Sequence, residues 1–239
     1  ADLNMTQYQG DTSAGAVVLK EFGEASINSE NYNLIFRYHV RIKILNKNGL
    51  DQSDIEIHLD KDGVNRIEKI LEIKAPCFNL EDGGNYEEVV QRKNIYNEDR
   101  HKYLTVKKVA IPNVRVGSVI ELSYTLESPF VFNFRTWEFQ SSIPKIESEY
   151  WARIPGIYRY NITLRGFLKL SKNESSIVKN CLGGGGDPRA GGFSADCSLL
   201  KLGMKNIPAF VEEGYMTAKK NFVSAVHFAL SEIYYPDGR

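Results

Sequence analysis

The chain has 239 residues, 42% of them hydrophobic and 11% aromatic, which is enough to fill the core of one large β domain or two small domains. Thirty basic and thirty acidic side chains cancel to a formal net charge of zero. The long-range attraction to phosphate that drives non-specific nucleic-acid binding is therefore missing, and nucleic acid is not an expected partner. No apolar run approaches the roughly 20 residues of a membrane-spanning helix, so no membrane span is expected in this chain. No charged-then-apolar leader stands at the start, and an Ala-Asp beginning fits a mature secreted protein and a chain trimmed in any other way equally well.

Residues 1–14 are polar and weakly patterned, and are expected to be loosely held. Ala16-Val17-Val18-Leu19 then reads as a short strand closed by Gly23. From Leu34 to Ile44 the residues Leu34, Phe36, Tyr38, Val40, Ile42 and Ile44 alternate with Arg37, His39, Arg41 and Lys43, the strongest strand signal in the chain. Asn46–Gly49 supplies turn residues, and Ile55, Ile57 and Leu59 alternate with Asp54, Glu56 and His58. The two runs are predicted to pair as an antiparallel hairpin. Asp60–Gly63 makes a further turn, after which Ile67–Leu71 fits helix or strand by spacing, with strand favoured by the surroundings.

Asn79–Asn85 reads as a polar turn, followed by strand candidates at Tyr86–Tyr96 and Tyr103–Ile111. Lys107–Ser128 sets two strand-like runs around a break at Pro112–Gly117, with Ile120, Leu122, Tyr124 and Leu126 on one face and Glu121, Ser123 and Thr125 on the other. Alternation continues at Phe130, Phe132 and Phe134, at Glu149–Ile154, and at Tyr158, Tyr160, Ile162 and Leu164, where Gly166 predicts a bulge. Ser176–Leu182 and Ser198–Leu202 read as arms of a hairpin with the glycine-rich Gly183–Gly192 at its tip, because glycine loses the most backbone entropy on ordering. After Pro208, Phe222–Ile233 carries both spacings: Phe222, Val226, Ala229, Leu230 and Ile233 fit a helix, while Val226, Phe228 and Leu230 fit a strand, the preferred reading.

No set of residues makes a self-contained catalytic constellation. Thiol catalysis needs a cysteine beside a histidine base, yet Cys77, Cys181 and Cys197 show no helix-start setting that would lower a thiol pKa. Cys181 and Cys197 lie on the two arms of one hairpin. If oxidised they close a loop of about 15 residues, worth about 3 kcal/mol in the chain-entropy model. Cys77 would be left over, and three free thiols is the alternative. Gly183–Gly186 is no phosphate loop, because Asp187-Pro188-Arg189 replaces the lysine and hydroxyl that one requires. His39, His58, His101 and His227 are isolated, so no metal or other cofactor is expected. Phe130, Phe132, Phe134 and Trp137 are candidate binding aromatics for a sugar or peptide, or else one core face. Glu212-Glu213 and Lys219-Lys220 read as solvated surface.

Five separated segments carry a family resemblance: Lys43–Leu50; Ile73–Ala75 with Phe78–Leu80; Ile111–Val114 with Gly117–Glu121; Trp137–Gln140 with Ile143-Pro144 and Ser148–Tyr150; and Ile207–Phe210 with Glu212-Glu213 and Tyr215-Met216. In this order they resemble the N-terminal domain of unknown function that precedes transglutaminase-like domains in secreted proteins of Gram-negative bacteria. The resemblance implies an all-β, antiparallel, immunoglobulin-like β-sandwich with few or no helices. It implies a β-sandwich domain over 1–205, and over 206–239 a C-terminal segment leading toward a downstream transglutaminase-like domain. It further implies a secreted, periplasmic or outer-surface location and a non-catalytic accessory role, with the downstream domain as partner and protein or peptide as substrate. Catalytic residues of that family lie downstream, so none is assigned here. The alternative is a free-standing glycan- or protein-binding module.

Overall fold

The computed structural model describes residues 2–81, 84–132, 134–183, 194–212, 216, 218 and 221–234. Its strands are β1 (Ala16–Ile27), β2 (Leu34–Ile44), β3 (Asp54–Asp60), β4 (Lys69–Lys74), β5 (Pro76–Glu81), β6 (Gly84–Val89), β7 (Ile95–His101), β8 (Leu104–Ala110), β9 (Val119–Ser128), β10 (Trp137–Glu138), β11 (Lys145–Pro155), β12 (Tyr158–Arg165), β13 (Lys172–Leu182), β14 (Ala195–Ile207) and β15 (Ala225–Ile233). Among the described residues, helix is confined to short 3-10 segments such as Lys47–Ser53. The fold is all-β with few helices.

Nine strands form one sheet in the order β13-β14-β11-β1-β2-β9-β5-β6, with β4 lying beside β9 next to β5. Two three-stranded sheets, β3-β8-β7 and β10-β15-β12, share a single core with it. The pairing is antiparallel except at the centre, where β1 runs parallel to β11. That pair corrects the fully antiparallel expectation. A parallel partner needs a long crossover, so no local turn signal announces it.

Alternation explains the core. On β9 the predicted inner residues Ile120, Leu122 and Leu126 are buried, and they meet Ile42, Val40 and Phe36 of β2 in direct register. Each such aliphatic side chain stabilises by about 1.5–3 kcal/mol relative to exposure. Aromatic rings bridge the large sheet to β10-β15-β12: Trp137 stacks on Tyr150 with centroids 5.2 Å apart, and Tyr150 meets Phe228 at 5.8 Å.

Several local expectations are corrected. β2 and β3 are no hairpin: β2 sits between β1 and β9, and β3 pairs with β8. The intervening Lys47–Ser53 helix, whose start is capped by the Asn46 side chain accepting the Asn48 N–H, is too long for a tight turn and carries the chain to the other sheet. Gly23 does not close β1. It lies mid-strand, where a Cβ would overlap the Trp137 ring, so the missing side chain makes room for the indole. Asn79–Glu81 belong to β5, which narrows the expected turn at 79–85, and the run Tyr86–Tyr96 is broken by a 3-10 segment at Arg92–Asn94. The alternating phenylalanines of 130–134 are not a strand.

The N-terminal stretch is held rather than loose near its start: Arg41 pairs with Asp2 at 2.9 Å, and Lys43 Nζ donates to the Leu3 carbonyl at 2.8 Å. Gly166 adopts a positive φ at the end of β12. The boundary at 205 falls inside β14, and the segment beyond it contributes β15 to the sheet with β12. Residues 184–192 of the glycine run, along with Glu213, Tyr215, Lys219 and Lys220, lie outside the described residues.

Candidate binding cleft

The pleat places Tyr38, Val40 and Ile42 of β2 opposite Tyr124, Leu122 and Ile120 of β9 on the inner face of the large sheet. Over part of this face the smaller sheet stands off. Ile55 and Ile57 of β3 form the facing wall, and Asp51, Gln52, Asp54 and Glu56 form the lip, enclosing a cleft of about 520 Å³. At its deep end Tyr38 and Tyr124 stack with centroids 5.1 Å apart. A shallower groove of about 300 Å³ meets the same tyrosine pair, lined in part by Phe22, Arg37 and His39.

Tyr38 leads into a buried polar network. Its hydroxyl donates to Glu21 Oε1 at 2.9 Å, while Lys145 Nζ and Ser148 Oγ both donate to Glu21 Oε2, at 2.6 and 2.7 Å. Trp137 Nε1 donates to Ser148 Oγ at 3.0 Å, and Lys145 also reaches the Glu138 carbonyl at 3.3 Å. Glu21, Lys145, Ser148 and Trp137 are all buried. Two charges in an apolar interior are tolerated when paired and hydrogen-bonded, and here the carboxylate accepts three hydrogen bonds and the ammonium donates two. Ser148 beside a lysine invites a nucleophile reading, but its hydroxyl is enclosed and already engaged with carboxylate and indole. The network ties β1, β11 and β10 together.

Burial, then the Glu21 charge, holds the Tyr38 phenol well above its ordinary range, and burial pushes Tyr124 up to about 12. Both are neutral hydroxyls near neutral pH. The Tyr38 hydroxyl is committed to Glu21, whereas no hydrogen bond reaches that of Tyr124 among the described residues. A second, half-buried pair lies nearby: Arg135 Nη2 donates to Glu68 Oε2 at 2.8 Å, the Asp60 N–H donates to the same oxygen at 3.0 Å, and the guanidinium sits over Phe36. Burial raises the Glu68 pKa, and Arg135 opposes that rise.

The four candidate aromatics do not form an exposed platform. Phe130, Phe134 and Trp137 are buried, and Phe132 alone is exposed, at 57%. Phe134 packs on Tyr160 and Phe228, and Trp137 on Tyr150, because rings this large are most favourable inside. Cys181 and Cys197 are joined as a disulfide across the β13–β14 hairpin, with Cα atoms 5.7 Å apart and a sequence separation of 16. Cys77 is a free, buried thiol between Asn79 and Asn113, and burial pushes its pKa up, the reverse of nucleophile activation. The histidines are dispersed. His39 faces Glu121 at 3.5 Å, and His227 Nδ1 lies 3.2 Å from Thr136 Oγ1 with its pKa lowered, chiefly by burial. No group of three metal-ligating side chains occurs among the described residues.

Sequence reasoning missed Glu21, Lys145 and the Tyr38–Tyr124 floor. The available signal was Glu21 standing in phase with Gly23, Ala25 and Ile27, a charge on the apolar face of a strand.

One further surface stands out. On β12, Ile162 and Leu164 lie directly opposite Phe228 and Val226 of β15, hence on the same face. The β15 residues are buried, but Ile162 and Leu164 are 45% and 46% exposed. No strand pairs the outer edge of β12 among the described residues, and Phe167 just beyond it is 83% exposed.

Among solved structures, the chain is similar to a "putative protease" from Parabacteroides distasonis, at 13% identity with a TM-score of 0.64. The match covers 93% of this chain and 41% of that one, so this chain spans well under half the length of that relative. At this identity the likeness concerns the fold alone. Leukotriene A4 hydrolase of Saccharomyces cerevisiae also matches, at 12% identity over 90% of this chain and 29% of that one, but its TM-score of 0.38 carries no argument. None of the curated proteins compared matches the sequence. Residues 30–166 match the family described as a domain of unknown function with a solved structure, DUF3857, and the chain belongs to that family.

Proposed function

We propose that this chain is a non-catalytic accessory domain of a longer, exported, transglutaminase-like protein of the papain type, and that it packs against the downstream domain and presents protein or peptide substrate to it. The observation that carries this reading is the half-open core face of β12. Ile162 and Leu164 continue an apolar face that is closed over β15 and exposed at the sheet edge, the pattern of an interface awaiting a partner. Ile233 and Tyr234, at the end of β15 on this same sheet, are 40% and 50% exposed. The match to 41% of the Parabacteroides chain supports a longer polypeptide, and a disulfide supports an oxidising compartment. The glycan-binding alternative loses its platform with the burial of Phe130, Phe134 and Trp137.

Hydrogen exchange tests the reading. In a protein containing residues 1–239 and the following domain, the amides of β12 are expected to exchange more slowly than in 1–239 alone. Equal exchange in the two would overturn packing at this edge, and turnover of peptide or glutamine substrates by 1–239 alone would overturn the non-catalytic role.

A further inference from the structure

The chemistry of the cleft between the sheets is one-sided. Its lip contributes Asp51, Asp54 and Glu56, and no lysine or arginine lines it. Glu56 is already engaged by Arg100 at 3.2 Å and Lys108 at 3.4 Å. Asp51 and Asp54 are exposed and have no ion pair or side-chain hydrogen bond among the described residues. The chain as a whole carries no net charge, so this is a local concentration of acid rather than a general bias. Below the lip, Val40, Ile42 and Leu122 make an apolar floor that ends at the stacked Tyr38–Tyr124 pair.

We propose that this cleft binds a basic segment of a polypeptide, with the aliphatic stem of a lysine or arginine laid along Val40, Ile42 and Leu122 and its charged head at Asp51 and Asp54. Charge complementarity selects the occupant. An acidic segment would meet unpaired carboxylates, whose repulsion works against entry. A neutral sugar would find no open ring to stack on, since the two tyrosines stack on each other. A long basic side chain matches both parts of the site, because its methylene stem prefers apolar surface while its head stays in water at the lip. From Tyr38 to Ile42 the floor spans four residue steps of strand, about 13 Å, which accommodates one such side chain with a flanking residue near Tyr124. The volume of about 520 Å³ falls in the range of small-ligand sites. The inference goes beyond the accessory role and stands without it, because it concerns residues 1–239 alone.

Fluorescence anisotropy with two labelled hexapeptides decides it, one bearing lysines and one bearing glutamates at the same places. The lysine peptide is expected to bind and the glutamate peptide not to. The variant D51N/D54N is expected to weaken the lysine peptide about tenfold, because both lip carboxylates lose their charge. Salt at about 0.5 M is expected to act in the same direction. Both substitutions are exposed, so the fold survives them, and Y124F, which removes only the hydroxyl, is expected to weaken binding a few-fold. Glu174→Gln on the remote edge strand β13 serves as the control and is expected to change nothing. Equal binding of the two peptides, no binding of the lysine peptide, indifference to D51N/D54N, or an equal effect of E174Q would each overturn the proposal. These outcomes are independent of exchange at β12, so failure here and failure of the accessory reading are separable.

Discussion

The centre of the large sheet and the edge of the β10-β15-β12 sheet break the same rule in opposite directions. At the centre, Glu21 and Lys145 are buried, and they are hydrogen-bonded to one another, with Tyr38 and Ser148 donating to Glu21 and Lys145 donating to a carbonyl. At the edge, Ile162 and Leu164 are apolar and open to water. The first arrangement is finished within the chain. The second is not, and the contrast separates residues that hold the domain together from residues free to meet something else.

Substitutions at the two places should therefore behave differently. Lys145→Met leaves the Glu21 carboxylate buried without its cation, and urea unfolding is expected to show a loss of about 3–5 kcal/mol. A loss below about 1 kcal/mol would mean that water reaches the network and that the centre is less closed than the hydrogen bonds indicate. An intermediate effect is expected where the outer strand β13 is stapled: C181S/C197S removes the β13–β14 crosslink and should cost about 3 kcal/mol if chain entropy dominates. Full stability of that double variant would show that β13 is held by its ladder alone. The smallest effect is expected at the open edge. I162S/L164S in residues 1–239 should shift stability by no more than about 0.5 kcal/mol. A large loss there would erase the contrast, because it would make the edge part of the core.

Much of the strand content was legible because alternation is a local signal. The strictest runs, Leu34–Ile44 and Ile120–Leu126, became β2 and β9, and their inner residues are where period two puts them. The pairing of those strands was less legible. Asn46–Gly49 carries turn residues, but it opens a 3-10 helix that sends the next strand to another sheet, and composition alone does not distinguish these outcomes. The same limit applies at Phe130–Phe134, where Phe130 and Phe134 are buried without belonging to a strand while Phe132 is exposed. The hairpin arms around Cys181 and Cys197 were visible, since two short runs flanking a glycine-rich stretch are a local signal. The cleft was not, because its floor and lip come from separate sheets and no stretch of sequence contains both.

The parallel pairing of β1 with β11 also bears on how the chain is made. Glu21 meets Ser148 across 127 residues of sequence, so the middle of the sheet stays incomplete while more than half of the polypeptide emerges from the ribosome. During that interval β1 can already pair with β2, but its other side is an open strand edge. Lys20 and Glu21 lie along that edge, and charges at such positions discourage pairing with a stray strand of another molecule. Until Lys145 arrives, the carboxylate that later anchors the core is a charge on an unpaired strand edge, a placement that disfavours stray pairing.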